Sequence, residues 1–104
     1  MFKLKTAPER KKDLFEALQF IQRQVQLKQE CMSCRIFKAI DDQTVFLYIE
    51  QWKTRDAMEY HIKSSLYSKV LAIMELATIP PEISFHHIKS SESIDLISRL
   101  RKEI

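Results

Sequence analysis

Hydrophobic and polar positions alternate through residues 44–52, and the alternation predicts a β-strand with two chemically different faces. Side chains of successive strand residues point to opposite sides of a sheet. The first face is aliphatic and carries Val45, Leu47 and Ile49. The second face combines aromatic rings with hydrogen-bonding groups and carries Phe46, Tyr48, Glu50 and Trp52. This second face is therefore predicted to have a chemical role beyond burial.

Short strand patterns and amphipathic helix patterns follow one another along the rest of the chain. Strands are predicted over 2–5, 31–40, 43–52 and 82–89. Helices are predicted from a capping-box sequence at 6–9 to about Val25, from Thr54 to about Ala77 with a break at 64–65, and over 91–104. The order β-α-β-β-α-β plus a C-terminal helix predicts an α+β protein with the ferredoxin-like split βαβ arrangement.

A length of 104 residues predicts one domain, with a core over 2–89 and a final helix over 91–104. The four-stranded antiparallel sheet of such a domain has both long helices on one side, which leaves the other side uncovered. We expect the uncovered side to be the aromatic face that carries Phe46, Tyr48 and Trp52. The simplest cover for it is the sheet of a second copy, so the expected assembly is a homodimer.

Composition excludes several classes of function. The chain contains no glycine, which excludes the dinucleotide-binding, Walker and EF-hand loops that need it for positive φ or close backbone approach. Its net charge of +3 comes from 17 basic and 14 acidic residues that are interleaved, which indicates a solvated surface and no nucleic-acid interface. The first five residues carry no apolar leader, and no apolar run reaches about 20 residues. We therefore expect a cytoplasmic protein that does not enter a membrane.

Cys31 and Cys34 have the C-x-x-C spacing of redox and zinc sites, but the strand pattern argues against both. Residues i and i+3 of a strand face opposite sides and lie roughly 10 Å apart, beyond disulfide reach. A second C-x-x-C is missing, and the adjacent His86 and His87 point to opposite faces of one strand. His87 shares its face with Phe85, which indicates the core. We expect two small, buried, free thiols and no metal site.

The pattern of Glu50-x-Trp52-x-Thr54-x-x-Ala57-x-x-x-His61-x-x-x-Ser65 resembles the signature of the antibiotic biosynthesis monooxygenase family. These small dimeric α+β barrel proteins include quinol and anthrone monooxygenases. Upstream, Glu30-Cys31-x-x-Cys34 resembles the family's Gly-Cys-x-x-Tyr segment, with glutamate in place of the glycine and cysteine in place of the tyrosine. The resemblance covers residues 2–89 and is most specific between Glu50 and His61.

The resemblance implies that the chain uses O2 to oxidise a quinol- or anthrone-like aromatic molecule without cofactor or metal. His61 is the expected base, because a histidine ordinarily changes charge near neutral pH, and Tyr48 is the expected hydrogen-bond donor to a developing oxyanion. Trp52, Phe46 and Glu50 are expected to contact the substrate. Glu50 could instead pair with Arg35 of the neighbouring strand, if the hairpin register places the two opposite each other.

Two other functions fit the same residues. The fold also suits an isomerase or another enzyme of small metabolites, and it suits a dimer that binds a ligand without catalysis. The C-terminal helix lacks the aromatic residues and the dense basic face of a membrane-surface helix. We expect this helix to pack on its own domain or on the partner subunit.

Overall fold

The computed structural model of the chain describes residues 1–88 and 94–102. Its strands are β1 (Phe2–Lys5), β2 (Cys31–Lys38), β3 (Val45–Trp52) and β4 (Glu82–Ile83). Its helices are α1 (Lys11–Gln26), α2 (Arg55–Ile62), α3 (Ser65–Met74) and α4 (Ile94–Lys102). The strands form one antiparallel sheet in the order β2-β3-β1-β4. The predicted α+β class and ferredoxin-like arrangement are thereby confirmed.

Helices α1 and α3 build the core against the sheet. The buried stripe of α1 is the one that the sequence predicts, with Leu14, Leu18, Ile21 and Val25. Spacings of three and four residues place these side chains on one side of the helix. Helix α3 adds the buried residues Tyr67, Val70, Ile73 and Met74. The two helices therefore lie on the same side of the sheet, as expected for this arrangement.

The start of α1 differs from the predicted capping box. The backbone N–H of Thr6 donates to the carbonyl oxygen of Thr44 at 3.0 Å, which keeps Thr6 with the sheet. A 3₁₀ turn at Pro8–Arg10 follows, and α1 begins only at Lys11. The Thr6 hydroxyl is buried without a hydrogen-bond partner among the described residues. The predicted capping box is wrong, because pairing beside β3 holds Thr6 away from the helix.

The helices cover the aromatic face of β3, which is the reverse of the expected arrangement. Phe46 and Tyr48 are each 1% exposed and belong to the same core as the helix stripes. The opposite face leaves Leu47 and Ile49 partly exposed and Phe37 45% exposed. Burying the aromatic rings under the helices removes more apolar area from water than burying the aliphatic side chains would. The expectation that a second copy covers the aromatic face is therefore wrong.

The connection between β2 and β3 turns without glycine. Oδ1 of Asp42 accepts the backbone N–H of Thr44 at 3.0 Å and the Thr44 hydroxyl at 2.5 Å. The backbone N–H of Val45 donates to the Asp42 carbonyl oxygen at 3.1 Å. No described residue has a positive φ. The connection joins the strands predicted over 31–40 and 43–52. Side-chain hydrogen bonds shape it, and no left-handed residue is needed.

The predicted strand over 82–89 is much shorter in the structure. β4 pairs with β1 only through Ile83 opposite Phe2 and Glu82 opposite Lys3. The backbone N–H of Ser84 then donates to the carbonyl oxygen of Met1 at 3.0 Å, and residues 85–88 form no strand. The prediction is too long because the short β1 is the strand that β4 pairs with. Residue 89 lies outside the described residues.

Helix α4 forms the middle of the predicted helix over 91–104, whose residues 91–93 and 103–104 lie outside the described part of the chain. Its apolar residues Ile94, Ile97 and Leu100 are 73%, 58% and 48% exposed. The helix therefore does not bury this apolar side on the described part of its own chain. None of the described helices is both long and apolar enough to cross a membrane.

Candidate active site around Glu50

The carboxylate of Glu50 lies at the centre of a hydrogen-bonded cluster near the end of β3. Its Oε2 accepts the Tyr48 hydroxyl at 2.6 Å and lies 3.1 Å from Nε2 of His61. Its Oε1 accepts the indole N–H of Trp52 at 3.2 Å. The Glu50 side chain is 12% exposed and that of His61 is 1% exposed. The structure thus brings together four of the five residues that the sequence predicts for the site.

Local structure explains how these four side chains meet. Tyr48, Glu50 and Trp52 occupy alternate positions of β3 and therefore point to the same side of the sheet. Helix α2 begins directly after this strand, where the hydroxyl of Thr54 caps it by accepting the backbone N–H of Ala57 at 3.1 Å. The short connection turns α2 back over the end of β3. His61, near the end of the helix, consequently reaches Glu50.

Both ring nitrogens of His61 have partners. The ammonium Nζ of Lys28 lies 3.1 Å from Nδ1 and 3.3 Å from the hydroxyl of Ser64. An ammonium group only donates hydrogen bonds, so Nδ1 is the acceptor and the ring hydrogen lies on Nε2, which donates to Glu50. The imidazole packs 4.6 Å from the Trp52 ring and meets the Tyr67 ring edge-on at 5.3 Å. His61 is therefore held from four sides.

Sequence reasoning missed Lys28 and Tyr67. Lys28 lies between α1 and β2, 33 residues before His61, in a stretch that reads as an ordinary charged loop. Tyr67 belongs to a helix stripe that reads as core. Neither residue stands out by motif or spacing, because only the packing of the helices on the sheet brings them to the site.

A small cavity of about 30 Å³ adjoins the cluster. Tyr48, Glu50 and Trp52 form one wall, and apolar side chains that include Phe2 and Phe85 form the others. This volume has room for one or two water-sized molecules. His61 does not line the cavity, since it lies behind Glu50. Glu50 is therefore the ionisable carboxylate that the cluster presents to the cavity.

Three residues considered from the sequence, Phe46, Arg35 and His87, lie away from the Glu50 cluster. The Phe46 ring stacks on Phe15 of α1 at a centroid distance of 5.9 Å, toward the opposite end of β3, and does not line the cavity. Glu50 faces Cys34 across the strand pair, so Arg35 points to the other side of the sheet and does not pair with it. His87 is exposed, and the expectation that it lies in the core is wrong because β4 ends before it.

Cys31 and Cys34 are free thiols in the structure. Cys34 is fully buried beside Tyr48, and Cys31 is partly buried. Burial is the main reason that the pKa of Cys34 rises to about 12, so this thiol stays protonated at neutral pH. Within residues 1–88 and 94–102, no group of three or more His, Cys, Asp or Glu residues is arranged to hold a metal ion.

The part of the chain that builds this site matches a known protein family. The family model described as antibiotic biosynthesis monooxygenase aligns with residues 1–72, which contain the whole Glu50 cluster. The chain belongs to the antibiotic biosynthesis monooxygenase family. The match confirms the resemblance seen in the sequence and ends within α3. No curated protein matches the chain significantly.

Solved structures share the fold of this family member. A conserved protein from Bacteroides thetaiotaomicron, described as a possible oxidoreductase, is similar with a TM-score of 0.70 and 20% identity over 78% of this chain and 87% of that one. A putative antibiotic biosynthesis monooxygenase from Nitrosomonas europaea has a TM-score of 0.68 and 22% identity over 78% and 86% of the two chains. A putative antibiotic biosynthesis monooxygenase from Deinococcus radiodurans has a TM-score of 0.66 and 18% identity, over 88% of this chain and 95% of that one. At these identities the likeness establishes the fold.

The electrostatics of the monooxygenase-family site favour an ionised Glu50. Burial raises the pKa of this carboxyl. Hydrogen bonds from His61 and Tyr48, the electrostatic interaction with His61 and the hydrogen bond from Trp52 outweigh burial and bring the pKa below the ordinary value of 4.5. Burial, followed by the Glu50 charge, raises the pKa of Tyr48 far above its ordinary value. Tyr48 therefore remains a hydrogen-bond donor, and Glu50 remains an acceptor at neutral pH.

Acid should remove the stability that the ionised Glu50 contributes. Because its pKa is lower in the folded chain, this contribution is present above the ordinary value of 4.5 and is lost as the pH falls through the folded value. We expect the urea midpoint of the wild type to fall from pH 5 to pH 3 more steeply than that of Glu50→Gln. Glu59, whose side chain is 46% exposed, provides the matched control, and Glu59→Gln should keep the wild-type slope. Equal slopes for all three proteins would contradict the assignment of an ionised Glu50.

Proposed function

We propose that this family member is a cofactor-independent monooxygenase that oxidises a quinol- or anthrone-like phenol with O2, and that Glu50 accepts the phenolic proton. The observation that carries the proposal is a carboxylate whose side chain is only 12% exposed, at the wall of a cavity that mostly aromatic and apolar side chains line. Each carboxylate oxygen can accept about two hydrogen bonds. Oε2 already has two partners, from Tyr48 and His61, while Oε1 has only Trp52. Oε1 therefore retains a lone pair for a substrate hydroxyl.

The proposed chemistry needs only substrate, O2 and a proton acceptor. The phenolic O–H bond breaks, its proton moves to Glu50, and the phenolate becomes the electron donor. Its ring carbon forms a bond to O2, which is reduced to a bound peroxide, and Glu50 returns the proton to the outer oxygen. The C–H bond at the oxygenated ring carbon then breaks, its proton joins the departing hydroxide as the O–O bond breaks, and that carbon becomes a new carbonyl while water leaves. One O2 is thus divided between a carbonyl oxygen and one water.

The other site residues hold Glu50 and shape the cavity in this proposal. Tyr48 and His61 donate to Oε2 and fix the direction of the carboxylate, and Trp52 offers ring area beside Oε1. The sequence suggested His61 as the base. Because both of its nitrogens already have partners and it lies behind Glu50, we propose that His61 supports the carboxylate and that Glu50 takes the proton.

The aromatic substrate must enlarge the cavity, since a six-membered ring needs more than the present 30 Å³. The wall most able to move is the one that Phe85 forms. Phe85 is 56% exposed and follows the last paired residue of β4, so few contacts hold it in place. We propose that the substrate enters by displacing this side chain and then lies between it and Trp52.

Oxygen consumption tests the proposed function. The purified protein is incubated with hydroquinones, naphthols and anthrones in an oxygen-electrode cell, with and without a metal chelator. We expect turnover that the chelator leaves unchanged. With isotope-labelled O2, each product molecule should carry one labelled oxygen atom and the second should appear in water. Silence across the panel together with saturable binding of the same compounds would favour a non-catalytic ligand-binding protein. An isomerised product without oxygen uptake would favour the isomerase alternative.

We also propose that the chain forms a homodimer through the aliphatic face of its sheet, around Leu47 and Ile49. Leu47 and Ile49 are partly exposed. Apolar side chains exposed together on a sheet often form the interface with a second copy of the chain. Leu47→Arg should convert the dimer to a 12.4 kDa monomer in sedimentation, because two like charges would meet across the two-fold axis. Leu27→Arg makes the same change at a site that is 85% exposed beyond α1, and it should behave as the wild type. A Leu47→Arg protein that remains dimeric would rule out this face.

A further inference from the structure

A second and larger cavity lies toward the other end of β3 from the Glu50 cluster. Its volume is about 310 Å³, against about 30 Å³ for the cavity beside Glu50. The residues that line it come from the start of α1, the end of β2 and the start of β3, and they are Pro8, Lys11, Lys12, Phe15, Lys38 and Phe46. Sites for small ligands have volumes of roughly 300–1,000 Å³ and combine apolar walls with a few polar groups. The second cavity is therefore large enough to hold a small ligand.

The late start of α1 leaves room for this cavity. Pairing of Thr6 beside β3, and the 3₁₀ turn that follows, delay the helix until Lys11. Lys38 is the last residue of β2 and lies directly opposite Phe46 of β3. Residues that face each other across a strand pair point to the same side of the sheet. The Lys38 side chain therefore extends on the helix side of the sheet, where it stays exposed.

The positive charges around the cavity are largely unpaired. Among the described residues, the Lys38 ammonium group forms no hydrogen bond and no ion pair. Nζ of Lys11 donates to the neutral amide oxygen of Gln43 at 2.9 Å. Lys12 lies 4.0 Å from the Glu16 carboxylate, but its side chain is 86% exposed, and an ion pair this exposed is weak. Three cationic side chains thus line the cavity, and no described carboxylate does.

Two phenylalanine rings give the cavity an apolar wall. Phe15 stacks on Phe46 with a centroid distance of 5.9 Å and an angle of 23° between the ring planes. Phe46 is buried in the core, whereas Phe15 is 36% exposed, so part of the Phe15 ring remains accessible. Aromatic rings favour stacked and edge-on contacts with one another. The wall is therefore suited to a further aromatic ring, next to a group of lysines that is suited to an anion.

We propose that this cavity is a second binding site, separate from the Glu50 site, for a small aromatic molecule that carries an anionic group such as a carboxylate. The ring lies against Phe15, and the anionic group contacts the ammonium groups of Lys11 and Lys38. An ammonium group has three N–H donors, so Lys11 retains two beyond its bond to Gln43. The proposal goes beyond the oxidation proposed at Glu50 and does not depend on it.

Charge also separates the two cavities by the ligand that each one favours. A cleft that is lined by charges of one sign and has apolar walls concentrates ions of the opposite sign. The lysine cavity therefore favours an anion, which also offsets the repulsion between the lysines. The ionised Glu50 disfavours an anion in the smaller cavity. Inorganic phosphate would use the lysines and leave the Phe15 ring without a contact, and a neutral aromatic molecule would do the reverse.

Titration of the nitrogen-15-labelled chain, followed by its amide resonances at neutral pH, tests the proposal with three probes. Naphthoate should bind saturably, with the largest shifts at the start of α1 and at the end of β2. Naphthamide, which has the ring without the charge, and inorganic phosphate, which has the charge without the ring, should each bind about 10-fold more weakly. Added NaCl should weaken the binding of naphthoate but not that of naphthamide, because salt screens exposed charges.

Substitutions at the cavity should separate the charge from the ring. Lys38→Met should weaken naphthoate binding by about 5-fold, the loss expected for one exposed charge pair, and should leave naphthamide binding unchanged. Lys38→Arg keeps the charge and should keep most of the affinity. Phe15→Leu keeps all three lysines and should weaken naphthoate more than phosphate. Circular dichroism checks that each variant is folded.

Lys69→Met is the matched control for the loss of a lysine beside a phenyl ring. Nζ of Lys69 lies 5.6 Å from the centre of the Phe20 ring, and neither residue lines the cavity. This variant should bind naphthoate as the wild type does. An affinity loss equal to that of Lys38→Met would overturn the proposal, because the overall positive charge of the chain would then account for binding.

Four other results would overturn the proposal. Equal affinities for naphthoate and naphthamide would show that the lysines contribute nothing. Phosphate binding as tight as naphthoate binding would show that the ring contributes nothing. Shifts confined to residues around Glu50 would place the ligand in the smaller cavity. A lack of saturable naphthoate binding would show that the lysine cavity is not a site for aromatic anions.

Discussion

Replacing Glu50 by glutamine is expected to lower oxygen-dependent turnover of the best hydroquinone or anthrone by about 100- to 10,000-fold, the usual effect of removing a general base. The amide has nearly the same shape and can still accept from Tyr48 and His61, but it cannot take a proton from a phenol. The loss should appear mainly in kcat. The fold and the assembly should remain, as circular dichroism and sedimentation would show.

Glu59→Gln is the matched control for this substitution. Glu59 lies on α2 with its carboxylate 2.9 Å from Nε of Arg55, outside the cavity. A solvent-exposed pair of this kind contributes little to stability or to the site. Its turnover should equal that of the wild type. If Glu50→Gln also keeps wild-type turnover, Glu50 is not the proton acceptor, and the anionic substrate must form in solution or at another residue.

Replacing Phe46 by alanine should lower the free energy of unfolding by about 3–5 kcal/mol, the usual range for removing a buried phenylalanine. Phe46 is 1% exposed and stacks on Phe15, so alanine would leave a cavity between α1 and the sheet. Urea denaturation measures the change. Phe46→Leu, which fills more of the space, should lose less stability and should keep the wild-type KM.

Phe20→Ala serves as the control for the loss of a phenyl ring. Phe20 is 54% exposed on α1, with Lys69 Nζ 5.6 Å from its ring centre. Removing this exposed contact should cost no more than about 1 kcal/mol. A Phe46→Leu variant of unchanged stability but much higher KM would instead make Phe46 a substrate contact, as the sequence suggested.

Periodicity predicted the elements of this fold well but could not orient the central strand. The stripe from Leu14 to Val25 identified α1, and the alternation through residues 44–52 identified β3. Both faces of β3 are apolar, however, so the pattern does not say which one meets the helices. The aromatic rings of β3 predicted an interface between two copies of the chain, whereas in the structure Phe46 and Tyr48 are buried under α1 and α3. Only the packing of complete helices on the sheet decides between the two.

The grouping of residues in the candidate site could be predicted where these residues follow one another along the chain. The alternate positions of Tyr48, Glu50 and Trp52 and the adjoining helix placed four groups together. Phe46 shares their face, but it precedes Glu50 by four residues, which is roughly 13 Å along a strand. Two side chains on the same face of a strand are therefore not necessarily close enough to belong to one site. Lys28 was unpredictable for the opposite reason, since its distance along the sequence conceals a direct contact in space.

The absence of positive φ angles among the described residues has a consequence for the unfolded chain. Glycine samples more backbone conformations than any other residue. Each glycine in a chain therefore increases the backbone entropy of the unfolded state, which folding must remove. This chain has no glycine, and its β2–β3 turn is shaped by the Asp42 carboxylate. Its unfolded ensemble is accordingly narrower than that of a glycine-containing chain of equal length. Folding therefore costs this chain less conformational entropy, and the smaller cost contributes to the stability of the fold.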